Sequence, residues 1–77
     1  MVRLYPIQSS TIRALGYEAE RKRLYVRYLE SGDMYVYFDV DADVFDDLLQ
    51  ADAKGRYVNH EIKGHYAFEK LPHRRAS

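Results

Sequence analysis

The sequence predicts an α+β domain in which a three-stranded antiparallel β-meander is followed by two short helices packed on one face. Two runs rich in aromatic and β-branched residues, 24–29 and 34–38, flank a short loop that contains Gly32. Apolar residues then recur at helical spacing between residues 39 and 63. A chain of 77 residues forms one small domain, and it has little room for a large internal cavity.

The predicted strands cover residues 12–17, 24–29 and 34–38. With Ser31-Gly32 as a two-residue loop, Tyr28 pairs with Tyr35 and Val26 with Tyr37. This is the preferred register; a three-residue loop shifts the pairing by one and exchanges the faces of the third strand. In the preferred register one face holds Leu24, Val26, Tyr28, Tyr35 and Tyr37, and the other holds Tyr25, Arg27, Leu29, Met34, Val36 and Phe38. Both faces are apolar, which predicts that helices cover one of them.

The first predicted helix opens at residues 39–43, where Asp39 or Asp41 serves as the N-cap. Residues 52–55 form a break, and the second helix covers residues 56–63, with Gly64 as the residue that ends it. The predicted core consists of Ile12, Leu24, Val26, Val36 or its alternates, Val44, Phe45, Leu48, Leu49, Val58 and Ile62.

The predicted organisation is a lead-in over residues 1–8, one domain over residues 9–68 and a basic flexible tail over residues 69–77. Charge sums to zero, but residues 39–52 carry six aspartates and no base, whereas residues 53–77 carry six bases and two acids. Such asymmetry points to partners rather than to fold. No signal peptide or membrane span is predicted, so we expect a cytoplasmic protein.

The sequence contains no metal-binding or catalytic motif with the required residues at the required spacing. The chain has no cysteine, and His60 and His65 are five apart instead of the four that a zinc helix needs. The aspartates of 39–43 resemble the start of a calcium loop, but the sixth position is Val44 and the twelfth is Gln50. There is no Gly-rich phosphate loop and no arrangement of nucleophile, histidine and acid. We therefore expect a protein that is not an enzyme and has no metal or cofactor.

Four segments together carry a family resemblance. They are Ser9-Ser10-x-Ile12-x-x-Leu15-Gly16-Tyr17, Tyr35-x-Tyr37, Val44-Phe45-x-x-Leu48-Leu49, and Lys54-Gly55-x-Tyr57-x-Asn59-x-x-Ile62. In this order they resemble the KTSC domain, which is named after the C-terminus of some lysyl-tRNA synthetases and also occurs as a free-standing bacterial protein. The association with the synthetase implies RNA binding, and the family assigns no catalytic residues. Asp41 stands where members often have proline.

The leading functional hypothesis is a non-catalytic binding module whose ligand is RNA, with tRNA as one possibility. The basic and aromatic C-terminal third mixes the side chains that RNA-binding surfaces use. On a helix, Arg56, Asn59, His60 and Lys63 would share one face. The predicted RNA-binding residues are Arg13, Lys54, Arg56 and Lys63 for phosphates, Tyr57 and Tyr66 for stacking, and Asn59 and His60 for base edges. Tyr35 and Tyr37 are either core residues, which is preferred, or stacking residues.

The alternative hypothesis is a protein-interaction or homodimerisation domain. It rests on the apolar sheet face that the helices leave uncovered. The residues predicted for that surface are Tyr25, Leu29, Met34 and Phe38.

Overall fold

A five-stranded antiparallel sheet frames the molecule in the computed structural model, which describes residues 3–71. Its strands are β1 (Tyr5–Pro6), β2 (Ile12–Glu18), β3 (Arg23–Tyr28), β4 (Met34–Tyr37) and β5 (Phe68–Leu71), in the order β1-β2-β3-β4-β5. Helix α1 (Ala42–Gln50) and helix α2 (Lys54–Tyr57) follow β4, and α2 continues into a π-helical turn, Val58–Ile62. The α+β class is confirmed, whereas the predicted number of three strands is wrong.

The two strands that the sequence did not predict lie at the sheet edges. In β1, Tyr5 pairs with Leu15 of β2, so part of the predicted lead-in belongs to the sheet. In β5, Phe68 pairs with Tyr37, so residues 69–71 of the predicted tail are also strand. Residues 72–77 lie outside the described part of the chain. Edge strands this short give little periodic signal, which explains why the alternation of side chains did not reveal them.

The central hairpin keeps its predicted faces but not its predicted register. Val26 pairs with Tyr35 and Leu24 with Tyr37, which is a shift of two residues from the preferred pairing. The connection is a four-residue loop, because the Tyr28 N–H donates to the Asp33 carbonyl at 2.9 Å. Gly32, which the sequence placed in this loop, has a positive φ of 75°, a conformation that glycine adopts without steric cost. Since side chains alternate with a period of two, a shift of two leaves every side chain on its face.

A β-bulge in β2 decides which of its residues enter the core. Ile12 pairs with Tyr28, but Ala14 pairs with Arg27, so Arg13 is the extra residue. As a result Ile12 and Leu15 both lie on the helix side of the sheet, although simple alternation separates them. The buried cluster between sheet and helices comprises Ile12, Leu15, Leu24, Val26, Tyr37, Val40, Leu48, Val58 and Ile62.

Helix α1 begins after Asp41, one of the two predicted N-cap residues, but departs from the prediction in its capping contact and on one face. Asp41 is the N-cap residue, but its carboxylate accepts from Lys22 Nζ at 3.1 Å instead of capping the helix. Leu48 is completely buried, whereas Leu49 is 42% exposed, so its predicted place in the core is wrong. Val44 and Phe45 are only partly buried against the cluster.

Helix α2 begins two residues earlier than predicted and includes Gly55, which the sequence placed in a break. The helical segment ends at Ile62, one residue earlier than predicted, because Lys63 already has extended geometry; Gly64, predicted to end the helix, has a φ of 81°. Within residues 3–71, no helix combines the length and the apolar character that a membrane crossing requires.

Candidate functional site: a tyrosine cleft

An open cleft of about 930 Å³ lies where the central hairpin meets the helical segment. Aromatic side chains form its floor. The helical segment forms one wall, and the turn before β2 forms the other. We call it the tyrosine cleft. The residues that line it are Ser10, Thr11, Tyr28, Leu29, Glu30, Ser31, Tyr35, Tyr37, Gly55, Asn59, Lys63, Gly64 and Phe68.

The floor of the tyrosine cleft is a cluster of four aromatic rings from three neighbouring strands. Tyr28 meets Tyr35 edge to face, with centroids 5.5 Å apart. Phe68 packs 5.7 Å from Tyr35 and 5.9 Å from Tyr37. These spacings are typical of favourable aromatic pairs. Phe68 remains 57% exposed, so the cluster offers an aromatic surface to solvent at the mouth of the cleft.

The phenol groups of Tyr28 and Tyr37 fix the deep part of this cluster. Their hydroxyl oxygens are 3.1 Å apart and form a hydrogen bond. Burial raises the pKa of both phenols, because the ionised form would lose its hydration. Both rings therefore stay neutral and rigidly placed at ordinary pH.

The turn before β2, which forms one wall of the cleft, packs closely against α2 at Gly55. Ser9 Oγ accepts from the N–H groups of Thr11 and Ile12, both at 3.2 Å, which closes the turn. A Cβ at position 55 would lie 1.9 Å from Thr11 Oγ1, so any residue other than glycine forces Thr11 to move. The Ser-Ser segment and the Lys-Gly segment of the family resemblance thus meet in space.

The π-helical turn forms the remaining wall and divides the helix face that the sequence predicted. The Lys63 N–H donates to the Val58 carbonyl at 2.8 Å, five residues back, in place of the α-helical four. Asn59 and Lys63 line the tyrosine cleft, whereas Arg56 and His60 line a smaller groove of about 350 Å³ with Ala51 and Glu61. The prediction that all four polar residues share one face is therefore wrong, since it assumed α-helical periodicity throughout.

The other predicted RNA-binding residues lie away from the cleft. Arg13 is the exposed bulge residue of β2. Lys54 Nζ donates to the Ala51 carbonyl at 2.9 Å, which ties it to the end of α1. Tyr57 and Tyr66 are partly buried and pack against the core, and Tyr57 lines the smaller groove beside Arg56. Of the eight predicted residues, Asn59 and Lys63 line the tyrosine cleft.

The four residues predicted for an interaction surface also divide into two places. Leu29 lies in the hairpin loop and lines the tyrosine cleft. Tyr25 and Met34 lie on the opposite sheet face by strand alternation, and both are half-buried. Phe38 is also half-buried, with the Arg23 guanidinium 5.4 Å from its ring centroid.

Several cleft residues were not among the predicted site residues. Tyr35 and Tyr37 were left as core or stacking residues; Tyr37, at 2% exposure, belongs to the core, Tyr35 packs partly buried against it, and both rings line the cleft. The sequence correctly placed Tyr28 on the same sheet face as Tyr35 and Tyr37. This shared face was the signal from which an aromatic site could have been predicted. Phe68 was read only as part of a short extended segment with Tyr66, and its place in the sheet as the first residue of β5 was not predicted. In the described part of the chain, no group of three or more His, Cys, Asp or Glu side chains is arranged to hold a metal ion.

Comparison with known proteins gives a consistent assignment. The sequence model of the KTSC domain matches residues 8–66. A protein of Tsukamurella paurometabola is 42% identical over 60 residues, which covers 78% of this chain and 88% of that protein. A lysine–tRNA ligase of Nostoc punctiforme is 38% identical over 64 residues, and the match spans 83% of this chain but 11% of the ligase.

A solved structure agrees with the fold. The crystal structure of a KTSC domain protein from Yersinia pestis superposes with a TM-score of 0.88 at 28% identity, covering 94% of this chain and all of that one. The molecule is thus a small α+β domain with an aromatic cleft between sheet and helix. The chain belongs to the KTSC domain family, as the four segments indicated.

Proposed function

We propose that this chain is a non-catalytic module that binds single-stranded RNA in the tyrosine cleft. The observation that carries the proposal is the meeting of an exposed aromatic ring, an amide and an ammonium group in one open cleft. Proteins that bind single-stranded RNA combine stacking rings with basic groups for the backbone. In this proposal the main binding surface is the aromatic floor of the cleft, whereas the sequence predicted a binding surface on one face of the helix.

Each part of the tyrosine cleft has a role in this proposal. Phe68 and Tyr35 provide the surface on which an unpaired base stacks, because Phe68 is exposed and the two rings already pack together. The exposed amide of Asn59 can both donate to and accept from a base edge. Lys63 supplies the positive charge for a phosphate. The acidic Glu30, which also lines the cleft, disfavours a second phosphate near it.

The relatives support RNA as the ligand class. Lysine–tRNA ligases of two Nostoc strains contain a segment similar to this chain, at 38% and 36% identity. A ligase that acts on tRNA has a use for an accessory RNA contact. The same contact in a small separate chain would act as an RNA-binding module.

The test is an NMR titration of isotope-labelled protein with a mixed-sequence single-stranded RNA. We expect shifts at Tyr35, Asn59, Lys63 and Phe68. Phe68→Ala should weaken binding by about 1–3 kcal/mol, the usual effect of losing one stacking ring. Its matched control is Tyr5→Ala, because Tyr5 is an aromatic residue on the opposite edge strand with a similar exposure of 54%.

Two outcomes would contradict the proposal. One is equal weakening by both variants, which would place the binding outside the tyrosine cleft. The other is the absence of shifts with RNA while shifts follow protein concentration alone. That result would favour self-association through the sheet face of Tyr25, Met34 and Phe38.

A further inference from the structure

The ammonium of Lys63 lies against Tyr28, an aromatic residue of the tyrosine cleft that packs beside the proposed stacking surface of Phe68 and Tyr35. Its Nζ lies 5.1 Å from the ring centroid of Tyr28. A cation within about 6 Å of an aromatic centroid is attracted by the ring quadrupole. In the free protein, one aromatic face of the tyrosine cleft is therefore covered by the chain's own cation.

The two partners of this contact differ greatly in freedom. The Tyr28 ring is held by the hydroxyl of Tyr37 at 3.1 Å and by the edge-to-face contact with Tyr35. The Lys63 side chain is exposed, and it is the Lys63 backbone that bonds to the Val58 carbonyl. The lysine can thus leave the ring while both the ring and the helix end keep their positions.

We infer that Lys63 acts as a charge-controlled gate of the tyrosine cleft, and this inference depends on the proposed function. In the free protein its ammonium lies on Tyr28; when a nucleotide enters, the ammonium moves to the phosphate and the base gains the ring. A neutral planar molecule has to displace the ammonium and gives it no new partner. A nucleotide provides that partner itself, so the gate selects phosphate-bearing ligands over other flat molecules.

The gate predicts opposite effects of one substitution on two ligands. Adenosine and adenosine 5′-monophosphate carry the same base and differ in the phosphate. Lys63→Met keeps the length of the side chain but removes the charge. It should tighten adenosine binding about two- to fivefold, the factor that corresponds to an exposed cation–π contact. It should weaken binding of the monophosphate several-fold. A merely structural role for Lys63 would move both affinities in the same direction.

Two further variants complete the experiment. Lys63→Arg retains a cation over the ring and should preserve the wild-type order of affinities. Lys54→Met removes a charge from the same helical segment, but Lys54 Nζ bonds to the Ala51 carbonyl outside the cleft, so neither affinity should change. NMR titrations measure the millimolar dissociation constants expected for mononucleotides, and thermal melting confirms that each variant is folded.

The results separate the gate from the proposed function. If single-stranded RNA does not shift the cleft residues, the proposed function fails and the gate fails with it. If RNA binds in the cleft but Lys63→Met leaves adenosine binding unchanged, undetectable or weaker, the gate alone is overturned. Tighter adenosine binding together with weaker monophosphate binding supports it.

Discussion

The contact between Gly55 and Thr11 gives a sharp test of how the tyrosine cleft is assembled. Gly55→Ala would place a methyl group 1.9 Å from Thr11 Oγ1 and 3.2 Å from Thr11 Cβ. The turn cannot simply retreat, because the Thr11 carbonyl accepts from the Leu29 N–H at 2.8 Å. We expect Gly55→Ala to destabilise the fold by about 1–3 kcal/mol, as overpacking does. In an open helical position the same change would stabilise by about 0.5–1 kcal/mol.

A double-mutant cycle isolates this contact. Thr11→Ala removes Oγ1 and leaves only the Cβ at 3.2 Å, which a small adjustment relieves. Thr11→Ala alone should lower the free energy of unfolding only slightly, because the exposed Thr11 hydroxyl makes just one long contact, 3.4 Å, with Ser9 Oγ. In the Thr11→Ala background, Gly55→Ala should be close to neutral, so the coupling energy is about 1–3 kcal/mol. Urea unfolding followed by circular dichroism measures all four proteins. An equal cost of Gly55→Ala in both backgrounds would refute the close approach.

The remaining predictions concern stability, pH and salt. Leu48→Ala should cost about 2–5 kcal/mol because Leu48 is fully buried, whereas Leu49→Ala, at a site 42% exposed, should cost about 0.5 kcal/mol; similar urea midpoints would contradict the burial pattern. Asp39 has a φ of 59°, so Asp39→Gly should raise stability by about 0.5–1 kcal/mol, and a lower melting temperature would speak against it. Burial raises the pKa of Tyr28 above its ordinary 10.0, so this phenol ionises in the unfolded state at a lower pH than in the folded state. The stability that it contributes should therefore be complete below pH 10 and should fall as the pH rises above 10. Urea midpoints that stay constant up to about pH 11 would contradict this prediction. Because Lys63 is the one basic side chain among the residues found to line the cleft, log Kd for single-stranded RNA should change by about 0.7 per tenfold change in salt; a slope several times steeper would place the phosphates elsewhere.

Local patterns predicted the inner sheet well. The faces of β3 and β4 follow from alternation alone, which explains why Leu24, Val26 and Tyr37 were placed together although their pairing was two residues off. Register depends on the loop, and the sequence suggested two loop residues where the chain uses four. Loop length is set by the carbonyl of Asp33 and the N–H of Tyr28, a contact that periodicity does not encode.

The candidate site was harder to predict because it is made by contacts between distant segments. Gly55 looks like a helix break in sequence, but its role is to admit Thr11. Of the predicted site residues, Asn59 and Lys63 line the cleft, whereas Arg56 and His60 line a separate groove across the π-helical turn. No local sequence pattern predicts a π-helical turn.

That turn has a further consequence for how relatives of this chain can differ. It holds one residue more than an α turn between the same ends. A chain with one residue fewer between Val58 and Gly64 would close an ordinary α turn there between the same ends, and the side chains within the turn would take different positions. The cleft would then receive a different neighbour for Asn59 without any substitution in its aromatic floor. In this fold, a change of length by a single residue is therefore enough to alter the wall of the cleft.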